Sequence, residues 1–131
     1  MPELAAISAG IETALEHVSI PAYVLDSAGV VRWINQAGRR IVGDVRGRQF
    51  TSLVASEETR HVREMFARKV AGRTIVTDFD SIVTPRDGQR LGVQISSVPL
   101  MSGDRVVGVF GQVAHIDWEP PPIPQLDLTP R

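Results

Sequence analysis

The stretch PAYVLDSAGVVRWINQA, residues 21–37, decides the fold. Residues 22–26 are dominated by Tyr23, Val24 and Leu25, types that favour strands. Asp26-Ser27-Ala28-Gly29 is a tight turn, because an Asp side chain can bond its own backbone and Gly tolerates positive φ. Residues 30–34 form the returning strand, so the core begins with a β-hairpin. Asn35 then caps a short helix that reaches Val42, since its side-chain oxygen can accept a hydrogen bond from the helix's first free amides. On the other side, Pro21 marks a boundary, because the residue before a proline resists helical geometry.

Working outward, residues 4–18 read as a helix with Leu4, Ile7, Ile11, Leu15 and Val18 on one stripe. Gly43 and Gly47 interrupt regular structure, and residues 50–54 suit a single helical turn. Ser56 is a second candidate N-cap, and Glu57 and Glu58 suit the positive end of a helix dipole. That helix runs to about Ala71 with an apolar stripe of Val62, Met65, Phe66 and Val70. Arg68 and Lys69 sit in its last turn, and Gly72 closes it. Three strands follow, at 74–84, 89–100 and 105–116. Pro85-Arg86-Asp87-Gly88 and Ser102-Gly103-Asp104 are the turns between them. Leu91, Val93 and Ile95 share one face of the middle strand, and Gln94 and Ser96 the other. The expected fold class is α+β: a five-stranded antiparallel sheet with helices on one face and an N-terminal helix.

Composition excludes several functions. The chain has 131 residues, one domain's length, with 43% hydrophobic and 22% charged residues. A net charge of −1 offers no basic excess for a nucleic-acid backbone. There is no cysteine, hence no disulfide, thiol nucleophile, iron–sulfur cluster or Cys-based zinc site. Met1 to Gly10 lacks a basic region followed by an apolar run, so no secretory signal is expected. No run of about 18 apolar residues suggests a membrane span. A cytoplasmic location is the expectation. His17, His61 and His115 share no metal-ligand spacing. His61 stands between Arg60 and Arg63 on a polar stretch, as a surface histidine does. His115 suits a wet sheet edge, or else the mouth of a pocket. Asp78 and Asp80 share one side of a strand, and a solvated edge explains them better than acid–base chemistry. Gly43 to Gly47 matches no phosphate-binding motif, while Gly108 and Gly111 inside a strand suit close packing or a bulge. Residues 119–131, with Pro120, Pro121, Pro122, Pro124 and Pro130, read as a stiff linker.

This order of elements resembles the PAS family over roughly residues 10–117. The likeness rests on Pro21 through Asp26, Gly29, and Trp33-Ile34-Asn35-Gln36-Ala37, similar to a strand–turn–strand ending in Asn-x-Ala. Gly43 and Gly47 before Phe50-Thr51-Ser52-Leu53-Val54, and the closing triplet of strands, complete it. The segment between Gly43 and Gly47 is shorter than in many relatives. Ile116-Asp117-Trp118 stands where an Asp-Ile-Thr close is usual, which weakens the case for a direct helical link to a kinase. The resemblance implies domains at 1–20 (a dimerisation helix), 21–117 (the PAS-like core) and 118–131 (a linker toward an effector domain). It implies a ligand pocket lined by Tyr23, Leu25, Ile34, Ile41, Leu53, Met65, Phe66, Val93, Ile95, Val109 and Val113, with a filled core as the alternative. It implies a homodimer through Leu4, Ile7, Ile11 and Leu15, though these could instead pack on the chain's own sheet. The ligand would be small and apolar. Covalent flavin chemistry is excluded without a cysteine, non-covalent flavin is left open without support, and haem is disfavoured by the setting of His61; the cofactor is otherwise unknown.

Leu128-Thr129-Pro130-Arg131 is similar to the opening of LuxR-type helix-turn-helix domains. On that likeness the chain is the input module of a transcriptional regulator, touching DNA only through a following domain. The alternatives are the input module of a histidine kinase or cyclase, and a ligand-free dimerisation module. A small α+β enzyme fits less well, because a hairpin comes early and no acid–base pair stands out.

Overall fold

The hairpin expected at residues 21–37 is present in a computed structural model, which describes residues 2–72, 77–85 and 88–118; the side chains of Pro2, Leu4, Thr77 and residues 115–118 lie outside that description. The elements run α1 (Pro2–His17), β1 (Ala22–Asp26), β2 (Val31–Ile34), α2 (Gln36–Val42), 3-10 turns at Phe50–Leu53 and Ser56–Glu58, α3 (Thr59–Val70), β3 (Thr77–Val83), β4 (Leu91–Ser102) and β5 (Arg105–Trp118). The strands form one antiparallel sheet in the order β2-β1-β5-β4-β3. The longest strand, β5, therefore lies at the centre and joins the early hairpin to the later one.

Local chemistry explains the hairpin. Asp26 Oδ1 accepts from the amides of Ala28 at 2.9 Å and Val30 at 3.0 Å, and Gly29 turns the chain at φ 83°. The Val30 amide above all, with the Arg32 guanidinium at 2.7 Å, holds the Asp26 carboxyl below its usual range. At the other end of β2, Asn35 caps α2 as its sequence suggests, with Oδ1 accepting from the Gly38 amide at 3.0 Å. The same oxygen accepts from the Ala22 amide at 3.0 Å, and Nδ2 donates to the carbonyls of Leu15 at 2.8 Å and Ile20 at 2.9 Å. Asn35 is fully buried, and one side chain thereby ties α1, β1 and α2 together.

Some boundaries differ from the sequence pattern. Ser56 does not cap α3: it opens a separate 3-10 turn, and α3 starts at Thr59 with no side-chain cap. The Ala55 amide is instead bonded to the Ile82 carbonyl at 2.9 Å, so pairing to β3 decides where the chain starts to coil. Lys69, expected among the basic residues of the last turn, is buried. The turn at 85–88 closes through Gly88 N to Pro85 O at 3.0 Å, with Gly88 at φ 87°. Strand β4 ends later than the pattern suggests, at Ser102, and β5 reaches Trp118. The expected strand start at 74–76 and the linker at 119–131 lie outside the described residues.

The core is formed by Leu25, Val31, Ile34, Val45 and Val109, with Tyr23, Val42, Phe50, Leu53, Phe66 and Val70 packed against it. These residues come from one face of the sheet and from the α2–α3 segment that covers it. The C-terminal end of α1 is docked by Asn35 and by an Arg39–Glu16 ion pair. Leu15 is half-buried there, whereas Ile7 and Ile11 stay 58% and 53% exposed.

Candidate ligand cavity

Between the sheet and its helical cover lies a cavity of about 120 Å³. Strand alternation supplies its floor: Val93, Ile95 and Ser97 of β4 and Val109 and Val113 of β5 share the covered face. β1 contributes Tyr23 and Leu25, β2 contributes Ile34, and β3 contributes Phe79. The roof comes from Ile41 of α2, from Phe50 and Leu53, and from Val62, Met65 and Phe66 of α3. The Phe50 and Phe66 rings meet with centroids 5.0 Å apart, a favourable tilted pair. All eleven side chains singled out for the pocket, from Tyr23 to Val113, stand around this one space.

Two further lining residues differ in chemistry. Lys69 is 1% exposed and its Nζ donates to the Ser97 carbonyl at 3.0 Å. Burial pushes its ammonium pKa down, and the Asp78 carboxylate pulls it partly back. Lys69 follows Val62, Met65 and Phe66 at spacings of seven, four and three, so its place on the apolar stripe was readable from the sequence. Ser97 is 6% exposed and lines the same space. Burial also pushes the Tyr23 phenol above its ordinary range.

Other candidates stay outside. His61 is exposed on α3, edge-on to the Phe79 ring with centroids 5.4 Å apart. Asp78 and Asp80 are exposed on β3. The side chain of His115 lies outside the description. Among the described residues, no group of three or more His, Cys, Asp or Glu side chains is placed to hold a metal, and no helix is long and apolar enough to cross a membrane.

An antiparallel sheet roofed by short helices over a small apolar cavity is the form this chain takes. The chain belongs to the PAS family of sensory and regulatory domains: the family model described as PAS fold matches residues 15–117. No curated protein matches the chain. Among solved structures it is similar to the PAS domain of a protein from Colwellia psychrerythraea, with TM-score 0.74, 18% identity, and coverage of 81% of this chain and 93% of that one. It is similar to a domain of a sensory box sensor histidine kinase/response regulator from Geobacter sulfurreducens, with TM-score 0.71, 20% identity, and coverage of 86% and 96%. It is also similar to the PAS domain, in complex with ethanol, of a LuxR-family transcriptional regulator from Burkholderia thailandensis, with TM-score 0.61, 19% identity, and coverage of 77% and 93%.

Proposed function

We propose that this chain is the input module of a regulatory protein and binds a small, largely apolar molecule in the cavity. The observation that carries this reading is a space of about 120 Å³ between the sheet and its helical cover, walled by apolar side chains with few polar groups. Cores are usually packed with few voids larger than a water molecule, so a space of this size is a feature to be explained. The similar domain from Burkholderia thailandensis is in complex with ethanol, which supports binding of a small molecule by this chain. A ligand would act by binding one conformation better than another and shifting the balance between them.

The output on this reading is a LuxR-type DNA-binding domain, supported by the Leu128-Thr129-Pro130-Arg131 end and by the LuxR-family relative. A kinase output is the competing reading, supported by the Geobacter sulfurreducens relative. The division at residues 1–20, 21–117 and 118–131 belongs to the same proposal, with a homodimer formed through Ile7 and Ile11. Native mass spectrometry of the purified chain tests ligand binding. Extra mass that disappears on denaturation is expected; bare protein that also takes up no small apolar probe sinks the reading in favour of a ligand-free module.

A further inference from the structure

Gly111 sits in the central strand, β5, and its backbone does not require glycine, because it is not among the residues at positive φ. Glycine inside a strand weakens it and often marks a close approach. Here the approach is by Tyr23, which opposes Gly111 across the β5–β1 ladder. A Cβ placed on Gly111 would stand 2.2 Å from Tyr23 Cζ and 2.3 Å from its hydroxyl oxygen. The phenol therefore lies over the bare backbone of Gly111, on the face where Val109 and Val113 of the same strand line the cavity. Any larger residue at 111 would push the ring away.

The seated phenol has no partner of its own. Among the described residues the Tyr23 hydroxyl makes no hydrogen bond, and its oxygen is not sealed off from accessible space. Burial alone raises its pKa, with no neighbouring charge or hydrogen bond contributing. A buried tyrosine hydroxyl usually finds a partner. A phenylalanine would fill the same space over Gly111 with no hydroxyl left to satisfy. Since Tyr23 lines the cavity, a molecule in the cavity can supply that partner.

We propose that the Tyr23 hydroxyl is the polar anchor of the cavity and that the ligand is a neutral, short aliphatic molecule with one oxygen, an alcohol or a carbonyl compound. The inference rests on the ligand-binding reading above and names the class of ligand. A phenol both donates and accepts, so it can serve either kind of oxygen. The walls argue for neutrality, since an apolar space that disfavours a phenolate disfavours a charged ligand as well. Lys69 does not alter this: its ammonium donates to the Ser97 carbonyl and feels the Asp78 carboxylate, so it already has a partner and a counter-charge. Size sets the body. A cavity of about 150 Å³ takes benzene, a ring of six carbons. A space of about 120 Å³ suits roughly five non-hydrogen atoms.

Tyr23 is the chain's only tyrosine, so labelling tyrosine at Cζ gives a single carbon NMR signal that reports this hydroxyl. Titration of the full chain with 1-butanol, butanone and n-pentane, which have the same number of non-hydrogen atoms, tests the inference. A polar group leaves water at a cost that pentane does not meet, so each probe is compared between wild type and Tyr23→Phe. The variant should bind 1-butanol and butanone roughly three- to ten-fold more weakly and pentane as before or better. In the wild type the two oxygenated probes should move the Cζ signal further than pentane does. An equal change for all three probes in the variant, or a Cζ signal moved no further by the alcohol and ketone than by pentane, would overturn the anchor and leave the ligand-binding reading standing. Pentane binding where neither oxygenated probe binds would do the same, as would a co-purified ligand that is charged or has no oxygen. No binding of any probe, with no extra mass on the purified protein, would overturn both.

Discussion

Asn35 concentrates more structure than any other polar side chain described here. Its amide makes four hydrogen bonds to four residues, two accepted and two donated, with no exposure to water. Asn35→Ala removes the α2 cap and leaves two amides and two carbonyls short of a partner. A loss of about 2–4 kcal/mol is expected, read as a lower urea midpoint at unchanged slope. Only part of this was legible: the sequence gives the cap, because Asn before a short apolar helix is a local signal. The bonds to Leu15, Ile20 and Ala22 depend on where the chain returns, and no local pattern carries that. Lys69 was hidden for another reason. A lysine near a helix C-terminus ordinarily interacts with the last carbonyls and water, and that prior outweighed its position on the apolar stripe. Gly111 was legible as a place of close approach, but not that Tyr23 would be what approaches.

At the scale of elements, α1 has one end docked and one end open. Arg39 bonds the Glu16 carboxylate and holds its pKa below the usual carboxylate value, while Glu16 raises that of Arg39. A carboxyl whose pKa is lowered by folding adds stability that is present above its unfolded value and is lost as pH falls through its folded one. Stability should therefore decline below about pH 4.5. Glu16→Gln should flatten that decline, measured as melting temperatures at a series of pH values; an unchanged slope would mean the pair does not hold the helix. Asp26 and Asp44 will keep part of the slope in the variant. The Val30 amide, with Arg32, lowers the Asp26 carboxyl, and Arg46, with its backbone amide, lowers Asp44 to about 2. Element types followed from periodicity and turn chemistry, with α1, the hairpin and β4 the clearest. Ser56 misled because a cap residue followed by two glutamates suits any helical start, and bonding of Ala55 to β3 moved the start of α3.

For the whole molecule, the order of strands and helices was enough to reach the fold, since few topologies accommodate a hairpin, a helical cover and three further antiparallel strands. The eleven pocket positions were legible because alternation and the family resemblance together fix which faces turn inward. The outer surface adds one prediction. Ile7 and Ile11 are exposed on α1, with Val18 and Ile20 exposed just beyond it. If this face pairs two copies, sedimentation will show a dimer, and Ile7→Lys with Ile11→Lys will give a folded monomer; a wild-type monomer at high concentration would exclude the pairing. The sheet itself discourages self-association by other routes. Its edge strands are β2 and β3. β2 is only four residues long and exposes Arg32, while β3 exposes Asp78 and Asp80 on its outer face. Isolated bridges from Gln49 to Val30 and from Val54 to Val83 occupy an end of each. A short strand, exposed charges and partial cover each discourage pairing of an edge with a further strand. The two carboxylates read from the sequence as a solvated edge thus put two charges on an edge strand, the kind of residue that discourages pairing with a further strand.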